Sequence, residues 1–259
     1  MTAQHLLILG GTGEAAALAR GALARFGDAM TVTSALAGRT RHPGPIPGQV
    51  RIGGFGGAPG LAAYMLEEGI DRLIDATHPF AAKISRAGRF AAERTGIPRL
   101  TLLRPPWRRH PLDRWIEVDS FEAAAQLVGR IGRRAWLTVG AGAVATFAPA
   151  TSVRFVVRLI DPPREPLPLR FHEVAIGRGP FGVAEERHLL QRHAIDVMVC
   201  KASGGAATEA KLVAARELSL PVIMVRRPPV EPGASVDTVD AALEWLAGLD
   251  RVPEARRVP

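Results

Sequence analysis

The chain has 259 residues, 47% of them hydrophobic and 22% charged, which is the composition of a globular protein long enough to bury one large α/β core or two smaller ones. No apolar run approaches the roughly 18 residues needed to cross a bilayer, and the N-terminus leads into a strand with no signal peptide, so a cytoplasmic protein is expected and a membrane partner is not. The 33 Lys and Arg against 25 Asp and Glu give a net charge of +8, which favours anionic partners; aromatics at 5%, dispersed arginines and no zinc-finger or RNA-binding signature argue against nucleic acid and for a small polyanion.

The first predicted strand, near 5–10, is the apolar run Leu6–Leu9 closed by glycine, the pattern of a strand covered on both faces. The helix near 14–26 follows, with Ala, Leu and Phe at helical spacing. Between them Gly11, Gly13 and Ala16 fit G-x-G-x-x-A, in which glycines admit phosphates and a small third residue lets helix pack on strand. The same turn opens methyltransferases, flavin proteins and plain α/β domains, so by itself it selects a fold class and no cofactor.

The second strand, near 30–35, runs into "ALAGRTR", where NAD-binding domains carry a ribose-binding acid. Ser34, Arg39 and Arg41 stand there instead, and a hydroxyl with guanidinium groups suits the 2′-phosphate of NADP. After a third strand near 49–53, "RIGGFGG" places Gly54, Phe55 and Gly56 where close approach of a ligand is expected. A helix near 59–68 and a strand near 72–76 lead to "LIDATHPFA", whose Asp75, Thr77 and His78 end the strand before Pro79 starts a helix near 80–95. His78 reads either as an acid or as a residue that only begins that helix. A strand near 99–103 completes the first lobe.

"RPPWRRHPLDR", 104–114, breaks the alternation with three prolines and reads as a solvated linker. Beyond it strands are expected near 115–118, 135–140, 153–160, 172–178, 195–200 and 221–226, with helices at 120–131, 183–193, 207–218 and 236–248. "DPPREPLP", 161–168, reads as a surface excursion between two strands. The single cysteine, Cys200, lies in an apolar run and reads as a buried structural thiol, and the seven histidines lack metal-ligand spacing. The expected architecture is two Rossmann-like α/β lobes with mainly parallel sheets and a cleft between them. Residues 1–110 form the nucleotide lobe, 111–250 the second lobe and 251–259 a disordered tail.

Taken together, "ILGGTGEA", "SALAGR", "RIGGFGG", "DATHPFA", "KASGG" and "KLVAARELSLPVIMVRRP" resemble, in order and spacing, the precorrin-6A reductase family of cobalamin biosynthesis, aerobic and anaerobic branches alike, over about residues 5–228. The resemblance implies NADPH-dependent reduction of the C18=C19 double bond of a polycarboxylate tetrapyrrole, precorrin-6A, to precorrin-6B. By the same resemblance Gly10, Gly11, Thr12, Gly13 and Glu14 form the turn beneath the cofactor phosphates. Ser34, Gly38 and Arg39 would clamp the 2′-phosphate, and Gly54, Phe55 and Gly56 with Thr77, His78 and Pro79 would lie near the nicotinamide. Lys201, Ser203, Gly204 and Lys211 would face the tetrapyrrole, although "KASGG" on its own reads as a strand-to-helix turn. No dedicated acid is required: His78, Lys201, a water held in the cleft, or the substrate's own carboxyl groups or ring nitrogens would supply or relay the proton, and the residues leave that choice open. An NADP-dependent reductase of another polyanion and a non-catalytic NADP sensor share the first lobe; Lys201 and Lys211 argue against the sensor. No metal is expected, and the residues leave the oligomeric state open.

Overall fold

The computed structural model describes residues 3–38 and 44–249. The chain begins with β1 (Gln4–Leu9), α1 (Gly13–Phe26), β2 (Met30–Leu36), β3 (Gln49–Ile52), α2 (Gly57–Glu67), β4 (Arg72–Asp75), α3 (Ala82–Thr95) and β5 (Arg99–Leu102). Leu6 to Leu9 are shut off from solvent on both faces of the sheet, each such side chain contributing about 1.5–3 kcal/mol relative to exposure. α1 starts where the Thr12 hydroxyl accepts Ala15 N at 3.1 Å and stops at Gly27, whose φ of +51° suits glycine. Its buried stripe is Ala15, Leu18, Ala19 and Ala22, small residues that bring the helix close to the strands. The tight contact beneath the turn falls on Ala15, against Gly10, and not on Ala16. With Thr12 as the cap, the third helical residue is the one aimed at the sheet.

At Arg104 the chain passes into a second unit, Pro105–Arg227. It contains β6 (Arg114–Val118), α4 (Phe121–Ile131), β7 (Arg134–Thr138), a 3-10 turn (Ala141–Phe147), β8 (Arg154–Leu159) and β9 (His172–Ile176). These are followed by α5 (Val183–Arg192), β10 (Val197–Lys201), α6 (Ala210–Glu217) and β11 (Pro221–Val225). The strands form one sheet of order β6-β11-β10-β7-β8-β9, and every pairing is parallel. Trp136, Phe147 and Phe155 are its largest fully buried side chains. The expected solvated linker is partly tied down. Trp107 Nε1 donates to Gly205 O at 2.9 Å, and buried Asp113 accepts Arg216 Nε at 2.7 Å and His110 N at 2.7 Å.

From Pro228 the chain belongs to the first unit again, with β12 (Ser235–Val236) and α7 (Val239–Leu249). This corrects the expected division at 110 and the assignment of residues up to 250 to the second lobe. β12 pairs with β5, and α7 buries Ala242 and Leu246 beside Leu18 and Ala22 of α1. The first sheet is therefore β12-β5-β4-β1-β2-β3, again all parallel. Its connections run outward from β1 to β3 and then return to β4, so the order reverses between β1 and β4; in the second sheet the reversal falls between β7 and β10. Such points leave a crevice at the carboxyl ends of the strands. No helix among the described residues is long and apolar enough to cross a membrane. The expected tail, 251–259, and the residues Arg39 and Arg41 lie outside the described residues.

Candidate functional site

At the reversal of the first sheet the turn after β1 meets the turn after β4. Thr12 Oγ1 donates to Ala76 O at 2.7 Å, so one hydroxyl caps α1 and ties the two turns together. Gly11 has φ +101°, and an added Cβ at Gly11 or Gly13 would meet nothing within 4 Å. The glycines thus face open space at the positive end of α1, which suits phosphate oxygens. Thr12, Glu14, Ala76, Thr77, Leu102 and Arg104 line one depression there. The Glu14 carboxylate does not lie bare beneath this space: Arg104 Nη1 holds it at 3.2 and 3.3 Å.

The loop after β4 is built around Asp75, whose residue is 2% exposed. Its Oδ1 accepts Thr77 N at 3.1 Å and Thr77 Oγ1 at 2.7 Å, and Thr77 Oγ1 lies 3.2 Å from Ser85 Oγ on α3. His78 Nδ1 accepts Phe80 N at 3.1 Å, so the neutral ring carries its proton on Nε2. His78 O also accepts Ala81 N at 2.7 Å, closing a turn through Pro79; α3 therefore begins at Ala82 and not at Pro79.

One expectation on the other side of β1 changes. Ser34 was expected at the strand's exit, but β2 continues through Ala35 and Leu36, which pair with β3, and buries Ser34 at 2% exposure. Its hydroxyl finds no partner among the described residues. The loop Gly53–Gly57 follows β3, which is separated from β4 by β2 and β1, about 14 Å at three strand spacings. The two loops nonetheless share a core: Phe55 packs in the cluster of Leu9 and Leu61 that also takes Ile84 from the first turn of α3. Arg51 organises the Gly53–Gly57 loop: its guanidinium donates to Gly53 O at 2.9 Å and Gly54 O at 3.0 Å and stacks 3.9 Å from the Phe55 ring. Gly38, with φ +67°, packs on Ile52 beside it.

In the second unit Lys201 ends β10 at the reversal, and its Nζ lies 3.6 Å from where Gly140 would carry a Cβ. Ser203 and Gly204 face inward. Ser203 is 6% exposed, and its carbonyl accepts Arg227 Nη2 at 2.9 Å. Gly204, at φ +66°, presses so closely on Pro105 O and Arg227 that its glycine identity needs no ligand to explain it. Lys211 is likewise buried, with its ammonium 5.3 Å from the Trp107 ring centroid. Cys200 is buried as expected, and burial pushes its thiol up to about 11. Among the expected residues, Gly11, Thr12, Gly13, Thr77 and His78 are accessible at the reversal of the first sheet, Gly38, Gly54 and Gly56 beyond the carboxyl ends of β2 and β3, and Lys201 at the reversal of the second sheet.

The sequence reading missed the arginines that hold these loops: Arg51, Arg104 and Arg227. It also missed Arg158, which pairs with buried Glu186 and stacks 4.6 Å from the Trp136 centroid and 3.8 Å from that of Phe181. Arg51, Arg104 and Arg227 stood in the stretches "RIGGFGG", "RPPWRRHPLDR" and "KLVAARELSLPVIMVRRP" with no local sign of what they hold. Their partners lie up to 90 residues away for Arg104 and 122 for Arg227, beyond any local pattern.

The family model of precorrin-6x reductase CbiJ/CobK matches residues 5–247. The chain is 47% identical to the precorrin-6A reductase of Rhodococcus erythropolis, over 95% of this chain and 99% of that protein. It is 44% identical to the precorrin-6A reductase of a Sinorhizobium species, over 95% of each. A solved structure described as CobK precorrin-6A reductase superposes with a TM-score of 0.90 at 40% identity, covering 97% of this chain and 99% of that one. Both sheets, both loop sets and the returning C-terminal helix fall within these matches, and the chain belongs to the precorrin-6x reductase family.

Proposed function

We propose that this protein reduces precorrin-6A to precorrin-6B in cobalamin biosynthesis, adding a hydride and a proton across the C18=C19 double bond, with NADPH as reductant. The observation that carries the reading is family membership over nearly the whole chain. The residues also fit the cofactor, because the turn at the reversal of the first sheet presents two glycines with open space above them at the start of a helix.

Bound NADPH supplies the hydride. The chain's part is to hold, orient and charge the surroundings. Thr12 fixes the start of α1 against the Ala76 turn, so that the phosphate-facing backbone is set before any ligand arrives. With Ser34 buried inside β2, the 2′-phosphate role falls to Gly38 and Arg39, and the sequence from residue 29 to residue 66 holds no acid that would favour NADH. The Asp75–Thr77–Ser85 chain holds the His78 turn, and with Nδ1 accepting Phe80 N the neutral His78 ring offers Nε2–H as a hydrogen-bond donor toward the ligand. Lys201 serves the substrate carboxylates, and the net charge of +8 draws a polycarboxylate ligand inward.

The test is direct. Purified protein mixed with NADPH and precorrin-6A oxidises the NADPH, and the tetrapyrrole absorption moves to shorter wavelength as one conjugated double bond is lost. Lys201→Ala slows this reaction and leaves NADPH binding intact. NADPH binding without turnover of precorrin-6A would replace the reading with reduction of another polyanion.

A further inference from the structure

Arg104 follows β5 and reaches across the end of β4 to the first turn of α1, where Nη1 meets both oxygens of Glu14 at 3.2 and 3.3 Å. Those distances exceed the roughly 2.7–2.9 Å of a tight guanidinium–carboxylate pair. The two side chains are 16% and 30% exposed, so the pair is partly sheltered yet loosely made. It borders the depression lined also by Thr12, Ala76, Thr77 and Leu102. A phosphate brought to the start of α1 comes close to the Glu14 carboxylate, and an unpaired carboxylate there would repel it.

We propose that Arg104 is a diphosphate-contacting residue: on nucleotide binding its guanidinium reaches the diphosphate oxygens while it still neutralises Glu14. The inference rests on the nucleotide reading above and adds a residue to it. A guanidinium matches phosphate geometry in two parallel hydrogen bonds, and its planar fork of five donors can serve a carboxylate and a phosphate together. The side of the sheet sets Arg104 apart from the 2′-phosphate. β4 and β5 lie across β1 from β2, so Arg104 stands away from the loop after β2 and serves the part common to NADPH and NADH.

Calorimetric titration of the full-length protein, its Arg104→Ala and Glu14→Gln variants, each checked for an unchanged circular dichroism spectrum, tests this with NADPH, NADH and inorganic pyrophosphate as probes. Arg104→Ala weakens NADPH and NADH by the same factor, roughly ten- to a hundredfold, and abolishes competition by pyrophosphate. Glu14→Gln moves both affinities the other way, because the arginine no longer has a competing anion. Unchanged affinity in Arg104→Ala, a loss confined to NADPH, or weakening by Glu14→Gln equal to that of Arg104→Ala would each overturn the proposal. A wild-type protein that binds neither nucleotide would overturn the nucleotide reading as well, an outcome distinct from the other three.

Discussion

Gly60 and Gly204 are glycines for steric reasons internal to the chain. A Cβ at Gly60 would overlap the Phe55 carbonyl, and one at Gly204 would overlap Pro105 O and Arg227 while the backbone sits at φ +66°. Alanine at either position should lower stability by roughly 2–4 kcal/mol, measured by denaturant unfolding, and the Gly204 variant should lose stability in the second unit. Arg39→Ala should weaken NADPH and leave NADH nearly unchanged, since only the former carries the group a charge-assisted contact would hold; a loss common to both would assign Arg39 another role. Cys200 offers a pH test. Burial raises its thiol from 9.0 to about 11, so the unfolded chain releases that proton first, and the stabilisation present below pH 9 is lost as pH rises toward 11. Cys200→Ala should flatten the stability curve in that window, and a thiol reagent should label the folded wild type slowly below it.

Among the elements, β12 and α7 depend most on contacts distant in sequence. Ahead of β12, Glu231 binds Arg89 Nε at 2.7 Å and Arg86 Nε at 3.5 Å on α3, anchoring the returning segment. The hydrogen bond from Arg89 holds the Glu231 carboxyl below its ordinary range. A carboxyl so lowered stabilises the fold at neutral pH and loses that contribution as the medium becomes more acid than its folded value. Glu231→Gln should remove this part of the acid dependence. Hydrogen exchange at Ser235 and Val236 should then speed up selectively, because the anchor is lost and the α1–α7 contact is not. Equal acceleration throughout the first sheet would show a general loss of stability instead.

On the scale of the whole molecule, the first unit is completed only after the second has been traversed. Ala242 and Leu246 are fully buried in the same cluster as Leu6, Leu18 and Ala22, so a chain ending at Arg227 leaves that cluster open although the glycine turn is intact. Such a truncation should lose NADPH binding and cooperative thermal unfolding of the first unit. Retention of both would show that the first five strands suffice. The same topology explains why a division at 110 looked sensible: the alternation of strand and helix continues through α7 without a break that a pattern could register.

What the sequence determined by itself was local. Runs such as Leu6–Leu9, the hydroxyl cap at Thr12, glycine at the turns and apolar spacing along the helices each act within a few residues, and the elements they predict lie where the structure has them. The motif order also carried the family resemblance, because "GGTGE", "THPFA" and "KASGG" are contiguous. Tertiary structure alone decided which strand lies beside which. That order buried Ser34 within β2, and the tertiary packing turned Ser203 and Lys211 inward and returned α7 to the first unit. It also set Arg104 against Glu14, 90 residues away. Strand order follows from which apolar faces can be covered together, a property of the whole core, whereas periodicity and caps report only on the turn or strand in which they occur.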